Sequence, residues 1–239
     1  MAKSKQSVEL LGHTVEYEVR HSSDATNPRI DVDIHGVRVV LPESDNTQPS
    51  ELLKENAVWL IDKKREYDEY REQVPDREFV PGEAFPYLGE PCEIVIEKRS
   101  SSVVTDSEFR LARHHVDQTS IQRALESLYR REARDYFEDR ADHFADQMDV
   151  EYEQIEIRNQ RTKWGSCSTT GTLGLNWRLM MAPPDVVDYI VIHELAHLRE
   201  QNHTDEFWSL VAEYDPAYES HSEWLAENSI RLIFTEQDL

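Results

Sequence analysis

The segment from Asp185 to about Arg199 constrains the fold more than any other part of the sequence. Its residues are apolar on nearly every side of a helix, so we expect the helix to be buried in a domain core. Pro183 and Pro184 precede it, and proline is tolerated in a first helical turn. A polar side chain inside such a helix needs a partner, because burying it unpaired costs roughly 2–7 kcal/mol.

Three polar side chains nevertheless occur in this helix, in the pentapeptide His193-Glu194-Leu195-Ala196-His197. Residues four apart share a helix face, so both imidazoles can bind one metal ion beside Glu194. Neutral imidazole suits Zn²⁺. The pattern therefore predicts His193 and His197 as zinc ligands and Glu194 as the catalytic general base. The alternative is that they are ordinary core histidines in a chance match.

A third histidine, His203, follows ten residues after His193. This is the spacing of the HExxHxxGxxH motif, although Glu200 stands at the glycine position. We expect His203 to be the third ligand, and residues of the following helices are the alternatives. Those alternatives are His221, Glu213 and Glu223. His203 could instead only flank the next helix, since Thr204 is suited to the N-cap.

Hydrophobic patterning predicts an α+β fold. Alternating residues predict strand structure within Val8–Arg20, at residues 15–19, and a hairpin over 29–41. Apolar residues at three- and four-residue spacing predict a long helix over 121–148. We expect an N-terminal β-rich domain with one helix over residues 1–115 and a catalytic domain over 116–239. No internal repeat is apparent in the sequence.

The chain is strongly acidic, with 48 Asp and Glu against 26 Lys and Arg and a net charge of −22. Such a charge repels nucleic acid and anionic membranes. No stretch approaches the ~20 apolar residues that span a bilayer, and no signal-peptide core follows the start. We therefore expect a cytoplasmic protein without a membrane or nucleic-acid partner. Dispersed carboxylates suit molar salt, which screens self-repulsion, so we also expect a halophilic source.

Several motifs around the buried helix point to a family. They are Arg161-Thr162-Lys163-Trp164-Gly165-Ser166-Cys167-Ser168, Leu175-Asn176-Trp177-Arg178-Leu179, Ala182-Pro183-Pro184 and Asn202-His203. Together with the HELAH pentapeptide they resemble the YgjP-like metal-dependent hydrolases, which are related to SprT-like zinc metallopeptidases. The resemblance is dense over about residues 155–228. It implies a zincin-like α+β catalytic domain with the metal on His193, His197 and His203.

The motif and the resemblance predict a zinc-dependent hydrolase, and a metallopeptidase acting on a peptide or protein substrate is the leading hypothesis. Four further residues are candidates for contacts to the substrate or the transition state. They are Asn176, Arg178, Tyr218 and His221. The strand predicted over Thr172–Leu179 would be either an edge strand that pairs with an extended peptide or an ordinary core strand. We expect Cys167 to be structural.

Two other functions stay open at the level of sequence. A metal-dependent nucleoside triphosphate pyrophosphohydrolase would use the basic residues near the motif, which are Arg158, Arg161, Lys163 and Arg178. A non-enzymatic binding module stabilised by its metal is the second alternative. Structural zinc sites usually close with four protein ligands, mostly Cys, so an open site of three histidines beside a Glu argues against it.

Overall fold

The structure, a computed structural model, describes residues 6–23, 25–33, 36–45, 47–160 and 163–235. These residues form two compact units, the first ending at Pro75 and the second beginning at Asp76. Helices and strands occur in both units, so the predicted α+β class is confirmed. The division falls before the predicted boundary between residues 115 and 116. The reason is that the strands between residues 84 and 112 bury their side chains in the core of the second unit.

The N-terminal unit contains a four-stranded sheet. Its strands are β1 (Gln6–Leu10), β2 (His13–Ser22), β3 (Arg29–Asp33) and β4 (Gly36–Pro42), in the order β1-β2-β4-β3. The β1–β2 and β3–β4 pairs are antiparallel, and β2 and β4 are parallel. The alternation predicted within Val8–Arg20, at residues 15–19, lies in β2, and β1 precedes it. The chain turns at Leu11 and Gly12, whose φ angles of 50° and 84° suit a two-residue hairpin turn.

Two helices follow this sheet, α1 (Pro49–Glu55) and α2 (Ala57–Glu72). The unit has a small core of its own, made of sheet residues and two helical leucines. Its buried members are Val8, Leu10, Val15, Tyr17, Val37, Val39, Leu41, Leu53 and Leu60. Helix α2 leaves Val58 and Trp59 exposed. The apolar surface of this helix is therefore only partly used within its own unit.

The second unit begins with a sheet of the same topology. Its strands are β5 (Ala84–Tyr87), β6 (Glu90–Glu97), β7 (Val103–Val104) and β8 (Glu108–Ala112), in the order β5-β6-β8-β7. The outer pairs are antiparallel and the central pair is parallel, as in the first sheet. The first hairpin again turns at a Leu-Gly pair, Leu88 and Gly89, with φ angles of 48° and 85°. The fold therefore contains a repeat that the sequence does not reveal.

Two helices also follow the second sheet, α3 (Arg113–Gln118) and α4 (Ile121–Met148). Helix α4 confirms the predicted 121–148 helix, and the Ser120 side chain caps it by accepting a hydrogen bond from the Arg123 backbone N–H. The apolar side chains along one face of this helix pack into the core of the unit. The buried residues are Ala124, Leu125, Leu128, Tyr129, Ala133, Phe137, Ala141, Phe144, Ala145 and Met148.

The rest of the unit is a three-stranded sheet followed by helices. The strands are β9 (Gln154–Arg158), β10 (Gly165–Cys167) and β11 (Thr172–Asn176), in the order β10-β11-β9. A 3₁₀ helix (Trp177–Met181) leads to α5 (Pro184–Ala196), α6 (Asp205–Tyr214), α7 (Tyr218–Asn228) and a final 3₁₀ turn (Ser229–Leu232). No helix in the described parts of the chain is long and apolar enough to cross a membrane.

Candidate metal centre

Helix α5 is buried over most of its surface, as its apolar sequence predicts. The buried residues are Val186, Val187, Tyr189, Ile190, Val191, Ile192, Glu194, Leu195 and Ala196. Its polar residue Asp188 accepts two hydrogen bonds of 2.7 Å from the Arg140 guanidinium of α4. A bidentate pair of this kind fixes orientation as well as distance. It therefore holds α5 firmly against α4, one turn before His193.

The three histidines predicted from the spacing converge at the end of α5. His193 lies in its last turn, His197 at its C-cap and His203 in the connection to α6. One ligand atom from each lies within 4.8 Å of the others, and Nε2 of His193 is 3.0 Å from Nε2 of His203. Thr204 caps α6 by accepting a hydrogen bond from the Phe207 N–H. His203 thus flanks a helix, as the alternative reading proposed, and also joins the cluster.

The other candidates for the third ligand do not join this cluster within the described chain. They are Glu213, His221 and Glu223. Nδ1 of His221 faces the carboxylate of Asp215 at 2.8 Å, and Asp215 is buried. His221 is therefore already engaged in a pair of its own.

The protonation of the imidazoles suits metal binding. Nδ1 of His197 lies 3.1 Å from the carbonyl oxygen of Glu200, and because a carbonyl only accepts, Nδ1 carries the hydrogen and Nε2 the free lone pair. Burial, reinforced by the neighbouring histidines, lowers the pKa of His193 to about 4. His193 is therefore neutral at neutral pH. Three converging imidazoles match the donor set that Zn²⁺ takes in catalytic sites.

A buried aromatic residue, Phe207 of α6, touches all three histidines. Its ring centroid lies 4.9 Å from that of His193, 4.6 Å from His197 and 4.7 Å from His203. Trp208 stacks on His203 from another direction, at 5.6 Å. Phe207 was not among the residues of the metal centre that the sequence predicted. Its place in the first turn after His203, on the apolar face of α6, is the signal that could have found it.

Glu194 lies beside the cluster at a cleft of about 480 Å³. The cleft is lined by two segments, one within residues 163–169 and one within residues 193–203. The side chain is only 5% exposed, and burial raises the pKa of Glu194 to about 7 while the positive charge of Lys163 opposes the shift. A carboxyl with such a pKa can both take and release a proton near neutral pH.

The cleft wall formed by residues 163–169 contains strand β10, which was not predicted from the sequence. In the order β10-β11-β9, β11 is the central strand, so the hypothesis that Thr172–Leu179 is an edge strand was wrong and the core-strand alternative is confirmed. The edge beside the cleft belongs to β10, whose residues 165–167 line it. A three-residue strand of small polar residues has no alternation that would distinguish it from a loop.

The candidate substrate contacts lie elsewhere. Asn176 and Arg178 are 2% and 3% exposed, and the Asn176 carboxamide accepts a hydrogen bond from the Arg178 N–H and donates one to the Gln160 carbonyl. Tyr218 stacks on Trp208 at 5.3 Å, and His221 pairs with Asp215. None of these four candidates is among the described residues that line the cleft.

The basic residues near the motif do not assemble at the cleft in the described chain. Arg158 forms an ion pair with Glu156, and Arg178 is buried. Arg161 lies outside the described residues. Lys163 lines the cleft, as does Cys167, and burial together with the Glu194 charge raises the pKa of the Cys167 thiol to about 11. Cys167 does not belong to the histidine cluster of the described chain.

Comparison with protein families agrees with this geometry. A profile of the YgjP-like metallopeptidase domain matches residues 26–228, which is most of the chain. This chain belongs to the YgjP-like metallopeptidase family. The family resemblance inferred from the sequence motifs is confirmed, and membership implies a divalent metal. The YgjP-like profile covers the N-terminal unit from β3 to α2 and begins after β1 and β2.

Two solved structures are similar to the chain at low identity. One is the crystal structure of the metallopeptidase zymogen abylysin from Pyrococcus abyssi, with 23% identity and a TM-score of 0.36 over 41% of this chain and 99% of that one. The other is the zymogen jannalysin from Methanocaldococcus jannaschii, with 23% identity and a TM-score of 0.36 over 39% and 96%. The comparison with curated proteins found no match.

Proposed function

We propose that this YgjP-like protein is a zinc-dependent peptidase whose general base is Glu194. The observation that carries the proposal is the convergence of three imidazoles beside a buried carboxyl at an open cleft. His193, His197 and His203 would hold the metal, and three protein ligands leave a fourth position open, as in catalytic zinc sites. When bound, Zn²⁺ supplies Lewis acidity, which lowers the pKa of bound water to about 7 and polarises a carbonyl.

Glu194 moves the proton in this proposal. Its Oε1 takes a proton from the water that attacks the scissile carbonyl carbon, so a C–O bond forms as the proton leaves. The same carboxyl then gives the proton to the amide nitrogen, whose bond to carbon breaks, and the peptide departs as an acid and an amine. The Glu194 side chain is 5% exposed and lines the cleft, so its carboxyl can reach a water molecule there.

Strand β10 would bind the substrate by strand addition. Its neighbours pair with β11 through the Asn176 N–H to the Trp164 carbonyl at 2.9 Å and the Ser168 N–H to the Thr172 carbonyl at 2.9 Å. In an antiparallel ladder the pairing alternates, so the N–H and C=O groups of Gly165 and Cys167 point away from β11. Within the described residues these groups have no backbone partner, so they form an edge beside Glu194 to which an extended peptide can hydrogen bond.

The test is hydrolysis by the wild type and Glu194→Gln with zinc, on an unfolded protein and on nucleoside triphosphates in parallel. We expect peptide release by the wild type and a loss of about 10²–10⁴-fold in kcat in the variant, because glutamine cannot take the proton. Zinc affinity should be unchanged, since the three imidazoles remain. Pyrophosphate release that disappears in the variant, without peptide release, would overturn the peptidase while keeping the metal centre.

A further inference from the structure

Gly165 makes the closest approach of the main chain to the catalytic carboxyl. A Cβ built at this position would lie 2.3 Å from Oε1, 2.6 Å from Cγ and 2.7 Å from Cδ of Glu194. Real Cβ atoms essentially never approach other atoms this closely. The main chain of β10 therefore packs directly on the Glu194 side chain, and only glycine leaves the space.

The requirement for glycine at this position is steric and not conformational. Positive φ angles occur at five other described glycines, and Gly165 is not among them. Its backbone is that of an ordinary strand, which alanine also adopts without strain. Any effect of an added methyl group must therefore come from the contact with Glu194.

The strand in this contact is held in place, so the Glu194 side chain is the partner that must move. Gly165 pairs with Leu175 in the sheet, and Leu175 is fully buried, so β10 cannot shift outward without losing its register. Glu194 is 5% exposed and lies on α5, which the Arg140–Asp188 pair holds against α4. A methyl group at residue 165 must therefore displace the carboxyl from its position beside the histidines.

We propose that Gly165 is a positioning residue, whose missing side chain lets β10 hold the Glu194 carboxyl against the metal centre. The inference rests on the proposed function, because it is the general base that is being positioned. Strand β10 also offers its backbone edge to the substrate. One strand would therefore position both the general base and the substrate.

The test is a thermal-unfolding cycle on the full chain, free of metal, with Gly165→Ala made in the wild type and in Glu194→Ala. We expect the melting temperature to fall by about 3–9 °C in the wild-type background, the usual range for overpacking. The fall should nearly vanish in Glu194→Ala, which removes all three crowded atoms. If Gly165→Ala folds only in the Glu194→Ala background, the proposal is also supported.

Gly174→Ala is the matched control. Gly174 lies on β11 directly across from Ser166, and its Cβ would meet Ser166 Oγ at 2.7 Å, so it is crowded by a different side chain. Its effect on the melting temperature should be the same with and without the Glu194 side chain. An equal effect of Gly165→Ala in both backgrounds, or its failure to fold in both, would overturn the proposal.

Kinetics and zinc titration separate positioning from folding. In Gly165→Ala we expect kcat to fall by about 10²-fold, as for a displacement of about 1 Å, while KM and zinc affinity stay within about threefold. Retained kcat would overturn the proposal. An inactive wild type would refute the proposed peptidase function instead, and the melting-temperature cycle would still decide whether Gly165 holds Glu194 in place.

Discussion

Both units of this protein contain the same four-stranded sheet followed by two helices, but this module has a different role in each unit. In both, a hairpin closed by Leu-Gly leads to a central parallel pair and an antiparallel outer strand. The N-terminal copy stops at α2 and leaves Val58 and Trp59 exposed at 65% and 46%. The second copy continues through β9–β11 and α5, and its long helix α4 is buried against them.

The comparison shows that the shared module does not itself supply the chemistry. Every residue of the histidine cluster, and Glu194 beside it, belongs to the segment added after α4. The module supports that segment through specific contacts. The Leu88 N–H donates to the Met180 carbonyl at 2.7 Å, whereas the corresponding Leu11 of the first hairpin is 65% exposed. The Leu-Gly turn therefore contacts the added segment in the second unit, whereas the leucine of the first turn is exposed.

A pair of core truncations tests this difference most strongly. We expect Phe207→Ala to lower the free energy of unfolding of the second unit by about 3–5 kcal/mol, because a fully buried ring is lost. Zinc affinity should also fall by about 10–100-fold, since all three imidazoles lose a packing partner. Denaturant unfolding and zinc titration measure the two effects.

The control for that variant is Leu60→Ala, which empties a fully buried site in the N-terminal unit. It should destabilise its own unit by about 2–5 kcal/mol and leave zinc affinity unchanged. A comparable loss of zinc affinity in both variants would mean that the metal centre depends on both units equally.

Zinc itself should stabilise only one unit. At a free concentration of about 1,000 times Kd, a ligand of the native state adds about 4.1 kcal/mol to its stability. We therefore expect slower hydrogen exchange in α5 on adding zinc, with strands β1–β4 unchanged. Equal protection of both regions would contradict the assignment of the metal to the second unit.

Two ion pairs make a smaller comparison. The Arg140 and Asp188 side chains are 24% and 18% exposed, whereas those of the Lys64–Asp68 pair on α2 are 36% and 50% exposed. We expect Arg140→Ala to cost about 1–3 kcal/mol, because it leaves the Asp188 carboxylate unpaired. Lys64→Ala should cost less than about 0.5 kcal/mol. Urea denaturation of both variants checks the order, and equal costs would show that the Arg140 pair does not hold α5.

The smallest expected effect distinguishes the two hairpin turns. Gly12 and Gly89 both have positive φ, so alanine costs about 1 kcal/mol at either position. At Gly89 the added Cβ would also lie 3.2 Å from Cα of Pro183, whereas nothing lies within 4 Å at Gly12. We expect Gly89→Ala to be more destabilising than Gly12→Ala, by a few tenths to about 1 kcal/mol. If thermal unfolding showed Gly12→Ala to be the more destabilising variant, the close contact between the Gly89 turn and Pro183 would be contradicted.

The sequence predicted those parts of the site that depend on local spacing. His193, Glu194 and His197 share one helix, so their convergence follows from helix geometry, and His203 is brought back by a short connection. Asn176 and Arg178 were candidates because they belong to a motif next to the metal helix, but neither lines the cleft. In the structure the Asn176 side chain caps the following 3₁₀ helix and is buried.

The parts that depend on long-range pairing could not be read from the sequence. The buried residues of β1 are Val8 and Leu10 and those of β2 begin at Val15, so the alternation changes phase at the turn, but the sequence does not show which strands pair. Strand β10 is too short to show a pattern, and its place at the edge is decided by its pairing with β11. The contact between Gly165 and Glu194 likewise exists only because that strand packs on α5.

Zinc titration of the wild type, His203→Ala and the matched variant His221→Ala tests the central claim most directly. His221 is a histidine of the same unit that faces Asp215 and lies outside the cluster. We predict one bound zinc ion per chain in the wild type and in His221→Ala. In His203→Ala the affinity should be at least about 100-fold weaker, as expected when a directly bound ligand is lost. Unchanged affinity in His203→Ala would contradict the three-histidine centre.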